Sequence, residues 1–262
     1  MKFISISKYP GKMGETLFNS SFKKLKINAS YKAIKRRSLL NTKEYLLKNN
    51  INGCGVSMPF KEKIIKYLDK QDNSVKKTRS CNTIILKNKK IIGYNTDYLG
   101  IKNKLISLKI SKKNEFYIFG AGGYARSFYK ALKDLNYNKI FIINRSIDRF
   151  KSWSNEKVYK LKKFPDSPNF NVIVNATPIG MKQIKKKEYL SQINLKKTKF
   201  YFECVVSPKN TNNIKIAELN SIKTILGYEI SLEQAIIQFK LYVKKKISSR
   251  FVKIILNKAL VD

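Results

Sequence analysis

The chain of 262 residues contains 55 lysines and arginines against 17 aspartates and glutamates, a net charge of +38, and it contains no histidine. The absence of histidine excludes Ser/His/Asp and Cys/His nucleophile systems and every His-ligated metal site. Three scattered cysteines, Cys54, Cys81 and Cys204, are too few for a zinc quartet or a disulfide framework, so we expect free thiols, a reducing compartment and no bound metal.

The first block of the chain, residues 1–103, alternates short apolar runs with stretches of helical spacing. Residues 51–60 (INGCGVSMPF) predict a strand that ends in a proline turn, and residues 61–70 predict a helix. Two β-branched runs within 81–97 flank a polar turn and predict a hairpin. Residues 99–114 predict a connecting helix followed by a polar joint.

The second block has the alternation of strands and helices that is typical of a parallel sheet with crossover connections. Residues 115–135 predict a strand, a glycine-rich turn and an amphipathic helix. Further buried strands are predicted within 139–146, 171–181 and 198–208. The tail, residues 227–260, has helical spacing.

Three polar motifs of the first block have no evident structural purpose: SMPFK at 57–61, CNT at 81–83 and NTD at 95–97. Each motif also has a purely structural interpretation, in which Lys61 is a solvated lysine after the proline turn and Asp97 caps a helix. Together the motifs predict that a hydroxyl, an amide, an ammonium and a carboxylate converge on a polyhydroxylated substrate.

The glycine-rich turn at 120–125 (GAGGYA) lies directly after an apolar strand and before a helix. Gly120 permits the tight turn, Gly122 lets the backbone approach a pyrophosphate, and Ala125 replaces the third glycine of the dinucleotide fingerprint. The N–H groups at the start of the helix then face the phosphates. We therefore predict dinucleotide binding here, against the alternative of a purely structural turn.

The end of the next strand predicts which dinucleotide binds. An NAD site usually carries an acid at this position to hold the ribose diol, whereas this chain has Asn144, Arg145 and Ser146, followed by Arg149. Guanidinium groups bind a phosphate through paired hydrogen bonds, so we predict NADP, recognised by its 2′-phosphate. In the alternative interpretation the two arginines belong to the general basic surface.

Seven motifs follow one another along almost the whole chain: VSMPFK (56–61), CNTI (81–84), GYNTD (93–97), GAGGYAR (120–126), NRS (144–146), NATPIGM (175–181) and GYEISLEQA (227–235). In these motifs and their order the sequence resembles the shikimate dehydrogenase family. The segments GCGVSMPFKE and PGKMGETLFN are most similar to the shikimate dehydrogenase-like branch of that family.

The resemblance implies a role for individual residues. Lys61 and Asp97 match the family's catalytic pair, which binds the substrate hydroxyls and handles the proton. The implied substrate-binding residues are Ser57, Asn82, Thr16 and Gln234. The implied cofactor-binding residues are Gly120, Ala121, Gly122, Gly123, Asn144, Arg145, Ser146, Arg149, Thr177, Met181 and Gly227.

Two features depart from the family's pattern. The N-terminal serine pair that grips the substrate carboxylate has no counterpart, because Met13 and Glu15 stand near those positions and Thr16 is the only nearby hydroxyl. Val206 stands where the family has a tyrosine. The substrate therefore stays open between shikimate and a close analogue.

The resemblance implies an α/β fold with two domains and a cleft between them. Residues 1–103 would form an α/β substrate-binding domain, residues 104–230 a Rossmann-type NADP-binding domain, and the helices of 231–262 would pack back on the first domain to deliver Gln234. The expected reaction is hydride transfer that interconverts 3-dehydroshikimate and shikimate with NADP. The alternatives are a quinate or amino-shikimate dehydrogenase and a catalytically weakened NADP-binding member of the family.

The expected partner is a small anionic polyhydroxylated substrate rather than nucleic acid. The lysines are spread along the chain and cluster only at 185–187 and 244–246, and their abundance together with asparagine and isoleucine indicates a composition bias of the whole proteome. A nucleic-acid-binding protein on this fold is the alternative. No stretch has the uninterrupted apolar sequence of a signal peptide or a membrane span, so we expect a cytoplasmic protein without a membrane partner. The sequence leaves open whether the protein forms a homodimer.

Overall fold

The computed structural model of the chain describes residues 1–148, 154, 157–160, 170–184, 189–243, 248, 250, 253 and 254. The chain divides into two compact units. The first unit comprises Met1–Gly100 and Leu232–Asp262, and the second comprises Ile101–Ser231. Each unit is built around a sheet of six strands with helices, so the predicted α/β class is confirmed.

The first unit contains six strands and the amino-terminal helices of the chain. The strands are β1 (Lys2–Ser7), β2 (Ser30–Lys35), β3 (Gly53–Val56), β4 (Lys70–Gln71), β5 (Thr83–Lys87) and β6 (Lys90–Tyr94). The helices are α1 (Met13–Lys24), α2 (Thr42–Lys48), α3 (Asn73–Thr78) and α4 (Thr96–Leu108), the last of which continues into the second unit.

The described part of the second unit contains the other six strands and three helices. The strands are β7 (Phe116–Phe119), β8 (Ile140–Ile143), β9 (Val158–Tyr159), β10 (Val172–Asn175), β11 (Phe200–Glu203) and β12 (Lys223–Ile225). The helices are α5 (Gly123–Asp134), α6 (Asn212–Leu219) and α7 (Gly227–Val243), the last of which continues into the first unit. Most of the predicted helical tail beyond α7 lies outside the described residues.

The sheet of the first unit is mixed and has the strand order β2-β1-β3-β5-β6-β4. The strand β5 is antiparallel to both β3 and β6. The carboxyl ends of β3 and β6 therefore lie beside the amino end of β5, at the same end of the sheet. The motifs at 57–61, 81–83 and 95–97 lie at these three strand ends.

The predicted hairpin is confirmed by the antiparallel pairing of β5 and β6. Its turn contains Asn88 and Lys89, with φ angles of 50° and 57°. Two successive residues with positive φ match the right-handed twist of the two strands and join them directly.

The predicted helix at 61–70 is wrong for most of its length. Only a short 3₁₀ helix, Lys63–Tyr67, forms before the chain enters β4. The N–H of Asp69 donates to the carbonyl of Ile91 at 3.0 Å, and the Asp69 carboxylate accepts the N–H of Ile91 at 2.7 Å. This pairing with β6 gives the backbone a partner that a continued helix would remove.

Aromatic residues form much of the core on one face of the first sheet. Phe18 and Phe22 of α1 pack against Phe239 of α7, with ring centroids 6.2 and 5.6 Å from it. Tyr242 stacks on Phe3 of β1 at 4.4 Å. These contacts fix the part of α7 from Leu232 onward, which includes Gln234, against the sheet of the first unit.

The sheet of the second unit is parallel throughout, in the order β12-β11-β10-β7-β8-β9. All residues of β7 and β10 are buried, as expected for central strands that are covered on both faces. Within the described ranges, no helix combines the length and the apolar character that a membrane crossing requires.

Candidate functional site

The three polar motifs of the first block meet where β3 and β6 end. The N–H of Val56 donates to the carbonyl of Asn82 at 2.7 Å, and the N–H of Cys81 donates to the carbonyl of Lys61 at 2.8 Å. These contacts tie the segment after β3 to the start of β5. The N–H of Asn82 in turn donates to the carbonyl of Tyr94, the last residue of β6, at 3.2 Å. Backbone pairing alone therefore brings the motifs together.

Lys61 and Asp97 form a partly buried ion pair at these strand ends. The Nζ atom of Lys61 donates to Oδ2 of Asp97 at 2.7 Å, and 20% of the lysine side chain and 8% of the aspartate side chain are exposed. The other carboxylate oxygen, Oδ1, receives no hydrogen bond from the described residues. The pair can thus stabilise negative charge on a bound oxygen and accept a hydrogen bond from a hydroxyl.

Asn95, and not Asp97, caps helix α4. The Oδ1 atom of Asn95 accepts the N–H of Tyr98 at 3.0 Å, and its Nδ2 donates to Oγ1 of Thr78 at 2.8 Å. The carboxylate of Asp97 lies in the first turn of α4 without capping it. The purely structural interpretations, with Asp97 as a cap and Lys61 as a solvated lysine, are therefore wrong.

The amide of Asn82 has a fixed orientation beside this pair. The backbone N–H of Thr96 donates to Oδ1 of Asn82 at 2.7 Å. Because a backbone N–H can only donate, this contact decides which end of the amide is the oxygen. The Nδ2 atom of Asn82 then donates to Oγ1 of Thr96 at 2.9 Å and to Oε1 of Gln234 at 3.3 Å.

The orientation of Asn82 determines the orientation of Gln234 in turn. The Oε1 atom of Gln234 faces the donors, since it also accepts from Oγ1 of Thr96 at 3.0 Å. The Nε2 atom has no acceptor among the described residues. Gln234 is therefore held as a hydrogen-bond donor with spare capacity, which suits a hydroxyl or carbonyl oxygen of a substrate.

Asn82 itself is more enclosed than a residue that only contacts substrate needs to be. It is 5% exposed, and its Oδ1 accepts from Oγ1 of Thr83 at 3.1 Å in addition to the contacts above. In this structure Asn82 orients Gln234, and its direct contact with a substrate stays a prediction.

Ser57 and Thr16 take no part in these contacts. Both residues are exposed, and within the described part of the chain their hydroxyls make no hydrogen bond to Lys61, Asp97 or Gln234. Their role in substrate binding stays a prediction.

Glu15 has a local structural contact instead of a free carboxylate. Its Oε1 accepts the N–H of Ala33 at 2.6 Å and thereby joins the start of α1 to β2. Met13 is the first residue of α1. The segment that lacks the family's serine pair is thus held by a carboxylate–backbone hydrogen bond.

The thiol of Cys81 lies close enough to the Lys61–Asp97 ion pair for both charges to affect its pKa. Burial raises the pKa of Cys81 to about 12, and the charge of Asp97 adds to this rise while that of Lys61 opposes it. Cys54 is also fully buried, and burial raises its pKa as well. Both thiols remain protonated at neutral pH and supply no nucleophile.

The glycine-rich turn of the second unit fits a dinucleotide phosphate. Gly120 has a φ of +119°, and a Cβ at this position would lie 2.7 Å from the carbonyl oxygen of Ala176. Only glycine is compatible with both conditions. A Cβ at Gly122, which precedes α5, would meet no atom within 4 Å, so space for a phosphate lies in front of it. Ala121, Gly123 and Ala125 of the same turn are buried, and Tyr124 is half-buried.

The start of α5 has the electrostatics of an anion site. No acidic residue lies in its first turn, and the residue that precedes the helix, Gly122, has no side chain to cap it. The helix dipole and the N–H groups of the first turn therefore favour a bound anion. The turn thus fits the pyrophosphate of NADP.

The segment after β8 contains the residues predicted to bind the 2′-phosphate. The Nδ2 atom of Asn144 donates to the carbonyl of Ser146 at 2.8 Å and closes a turn. Arg145 and Ser146 are exposed, so the guanidinium and the hydroxyl are accessible to a ligand. Arg149 lies outside the described residues.

Thr177 and Met181 lie in a hydrogen-bonded turn that follows β10. The backbone N–H and the hydroxyl of Thr177 both donate to Oδ1 of Asn175, at 3.1 and 2.6 Å. The Nδ2 atom of Asn175 donates to the carbonyl of Ile179 at 3.1 Å. The N–H of Met181 donates to the carbonyl of Pro178 at 3.1 Å. Asn175 therefore sets the shape of this turn.

Glu203, the last residue of β11, binds the residues around that turn through hydrogen bonds. The motifs of the sequence did not identify it. Its carboxylate is fully buried and accepts four hydrogen bonds at 2.8–2.9 Å, from Asn175 Nδ2, Tyr201 Oη, Val205 N–H and Thr211 Oγ1. Burial raises the pKa of Glu203, while these hydrogen bonds lower it. The sequence signal that could have identified this residue is an acid at the end of an otherwise apolar strand.

Gly227 begins α7 in tight contact with the segment after β11. A Cβ at this position would collide with the carbonyl group of Val205. In the first turn of α7, Glu229 accepts the N–H of Leu226 at 3.1 Å and Nζ of Lys104 at 2.5 Å. These contacts account for glycine at 227 by close packing, and a direct contact with the cofactor stays a prediction.

Comparisons with known proteins agree with the motifs. Residues 13–84 match the profile of the shikimate dehydrogenase substrate binding domain. A shikimate dehydrogenase (NADP(+)) of Clostridium botulinum is 33% identical over 224 residues, which cover 84% of this chain and 87% of the relative. A shikimate dehydrogenase-like protein of Haemophilus influenzae is 29% identical over 251 residues, 95% of this chain and 93% of that protein.

The fold is also that of a solved structure. The structure of a shikimate 5-dehydrogenase-like protein superposes with a TM-score of 0.83 at 27% identity, over 99% of this chain and 97% of that chain. The resemblance inferred from the motifs is confirmed, and with one third of the residues identical over most of both chains, the protein belongs to the shikimate dehydrogenase family.

Proposed function

We propose that the protein is a cytoplasmic NADP-dependent oxidoreductase that interconverts 3-dehydroshikimate and shikimate, or a close analogue, by hydride transfer. The type of enzyme, an oxidoreductase of the shikimate dehydrogenase class, follows from its family. The observation that carries the specific proposal is the ion pair of Lys61 and Asp97, 2.7 Å apart and largely shielded from solvent.

In this proposal the ion pair handles the charge and the proton at the reacting oxygen. Bound NADPH supplies the hydride. Negative charge that develops on the carbonyl oxygen is stabilised by the ammonium of Lys61, which also donates the proton. Asp97 keeps the ammonium in place through Oδ2, and its Oδ1 is available to accept a hydrogen bond from a neighbouring substrate hydroxyl.

The cofactor is NADP, as predicted, and the residues of the second unit fit it. The relative from Clostridium botulinum carries NADP(+) in its name. The open space before α5 suits the pyrophosphate, and the exposed guanidinium of Arg145 suits a 2′-phosphate. The cofactor-binding set that we propose is Gly120, Ala121, Gly122, Gly123, Asn144, Arg145, Ser146, Arg149, Thr177, Met181 and Gly227.

The substrate side favours a polyhydroxylated ring. Gln234 offers a donor and Asp97 an acceptor, and a hydroxyl can serve both at once because it donates and accepts. Ser57, Asn82 and Thr16 complete the proposed substrate-binding set. In the family, a serine pair grips the carboxylate of the substrate ring, and Met13 and Glu15 stand near those positions here. The substituent that the ring carries at the position of this carboxylate therefore distinguishes shikimate from its analogues.

The test is a substrate panel with the purified protein. Shikimate, quinate and an amino-shikimate are each offered with NADP⁺ and with NAD⁺, and the nicotinamide absorbance is followed. We expect turnover of at least one of these compounds, with NADP⁺ preferred over NAD⁺. If NADP⁺ binds but no member of the panel is oxidised, the protein is a catalytically weakened member of the family and the proposed reaction is wrong.

A further inference from the structure

We propose that Gly100 is a positioning residue that acts through Gln234. The missing side chain at position 100 lets α7 approach α4 closely enough for the amide of Gln234 to reach Asn82 and Thr96. This inference rests on the proposed function, because it assumes that Gln234 contacts the substrate.

The geometry of the two helices makes glycine necessary at this position. A Cβ on Gly100 would lie 2.6 Å from the backbone nitrogen of Gln234 and 3.0 Å from its Cα. Distances below 3.0 Å do not occur for real Cβ atoms, and backbone atoms cannot rotate away as a side chain does. One of the two helices must therefore move when position 100 carries a side chain.

The backbone conformation of Gly100 gives no other reason for glycine. The residue lies inside α4, and its φ is not in the positive range that only glycine tolerates well. A glycine in a helix interior is less favourable than alanine, because it loses more backbone entropy on folding. Close approach of α7 is thus the feature that requires it.

The contacts of Gln234 have little tolerance for the movement that a Cβ would demand. Ordinary contact begins at 3.4 Å, so relief of the 2.6 Å approach needs a displacement of about 0.8 Å. The Oε1 atom of Gln234 lies 3.0 Å from Oγ1 of Thr96 and 3.3 Å from Nδ2 of Asn82. A shift of this size along either contact takes that distance beyond hydrogen-bond range.

Loss of these two contacts removes the orientation of Gln234 as a donor. Asn82 keeps its own orientation, because the backbone N–H of Thr96 still donates to its Oδ1. A displacement of α7 leaves the Lys61–Asp97 ion pair in place, because neither residue belongs to that helix. The expected consequence is weaker substrate binding and poorer placement, with an intact cofactor site.

The experiment compares four proteins: the wild type, Gly100→Ala, Gln234→Ala and the double variant. For each, kcat/KM is measured on the compound of the substrate panel that the wild type turns over best, and binding of that same compound is measured by calorimetry. Both single variants should lose about tenfold to hundredfold in kcat/KM, the range for one buried hydrogen-bond partner. The double variant should be within about twofold of Gln234→Ala, because residues that act as one unit are not additive.

A matched control separates positioning from general loosening of α7. Gly53 also packs against this helix, and a Cβ there would lie 2.6 Å from the ring of Tyr242, two turns beyond Gln234. Gly53→Ala should lower the melting temperature as Gly100→Ala does, yet change kcat/KM less than about threefold. Saturating NADP⁺ in all assays stabilises the folded state and keeps both variants measurable.

The outcomes distinguish the two levels of the proposal. If Gln234→Ala has wild-type kcat/KM and binding, Gln234 does not contact the substrate, and the assignment under the proposed function fails together with this one. If Gln234→Ala is impaired but Gly100→Ala is not, or if Gly100→Ala adds its full loss to the double variant, Gly100 does not act through Gln234. An equal loss in Gly53→Ala likewise overturns the proposal.

Discussion

Asp97 in the first unit and Glu203 in the second are both largely buried carboxylates that lie near the ends of strands, and the protein holds them in opposite ways. Asp97 pairs with a cation through one oxygen, and its other oxygen receives no hydrogen bond from the described residues. Glu203 is fully buried, and four protein donors, none of them a cation, surround its two oxygens.

The two sites differ in whether their hydrogen-bonding groups are all used by contacts within the protein. Every group around Glu203 is directed at the protein itself, and the result is a fixed arrangement of β10, β11 and the start of α6. Around Asp97, one oxygen of the aspartate and the Nε2 atom of Gln234 have no partner in the described chain. A buried polar cluster with spare donors and acceptors can bind a ligand, whereas a saturated one stabilises structure.

The first and largest test of this contrast is the removal of Lys61. Lys61→Ala should lower kcat by roughly 10²–10⁴, the range for loss of a positioned proton donor. Asp97→Asn should be similarly damaging, and the double variant should be far less impaired than the product of the two losses. Binding of NADP⁺ to each variant, followed by calorimetry, should barely change.

A matched ion pair in the same unit serves as the control. Nζ of Lys43 lies 2.7 Å from Oδ1 of Asp69, the distance found for Lys61 and Asp97, but this pair is more exposed, at 35% and 28%. Lys43→Ala should leave kcat unchanged and cost less than about 1 kcal/mol of stability, as for an exposed salt bridge. Near-normal turnover by Lys61→Ala would show that the proposed mechanism is wrong.

Local sequence patterns predicted the parts of the molecule that depend on neighbouring residues. The hairpin of β5 and β6, the strand–turn–helix around Gly120 and the strands of the second sheet follow from alternation, turn chemistry and apolar runs. The Lys61–Asp97 pair was also within reach, because the motif order identified the family and both residues lie in its motifs.

The remaining features depend on contacts between residues that are distant in sequence. The helix predicted at 61–70 ends early because Asp69 pairs with Ile91, 22 residues away. The buried role of Glu203 depends on Asn175, 28 residues away, and that of Gly100 depends on α7. No periodicity within a short window contains this information, so these features required the structure.

The second test concerns cofactor selectivity, and it extends the contrast to a fully exposed group. Arg145 is exposed, so its donors are accessible, and we propose that they bind the 2′-phosphate of the cofactor. Arg145→Ala should weaken NADP⁺ binding by about tenfold to hundredfold and NAD⁺ binding by less than about threefold, since only NADP⁺ carries the 2′-phosphate. Arg149→Ala is predicted to act in the same direction. Fluorescence titration with both cofactors measures these effects.

The general positive charge of the protein needs its own control. Arg37 is an exposed arginine of the first unit, and Arg37→Ala removes the same charge at a position outside the cofactor-binding set. This variant should bind both cofactors as the wild type does at moderate salt. Equal losses for NADP⁺ and NAD⁺ in Arg145→Ala would mean that the arginine contributes only through the net field.

The smallest expected effect comes from the saturated cluster, through the variant Glu203→Gln. An amide fits this site because its oxygen can face the two donors that cannot accept, Asn175 Nδ2 and the N–H of Val205. Its NH₂ group then faces the hydroxyls of Tyr201 and Thr211, which can rotate to accept. We therefore expect a folded protein whose free energy of unfolding at pH 7 is within about 1–2 kcal/mol of the wild type, with kcat nearly unchanged.

The pH dependence of stability gives this last prediction its direction. Burial raises the pKa of Glu203 above its usual value of 4.5, so between 4.5 and the raised pKa the folded state holds a proton that the unfolded state has lost. The contribution of Glu203 to stability is therefore fully present below pH 4.5 and is lost as the pH rises through the folded-state pKa. The free energy of unfolding of the wild type minus that of Glu203→Gln, from urea titrations at a series of pH values, should fall as the pH increases, because all other groups cancel in the difference. A difference that rises with pH would mean that the four donors stabilise the ionised carboxylate by more than burial destabilises it, and the contrast with Asp97 would then lie in exposure alone.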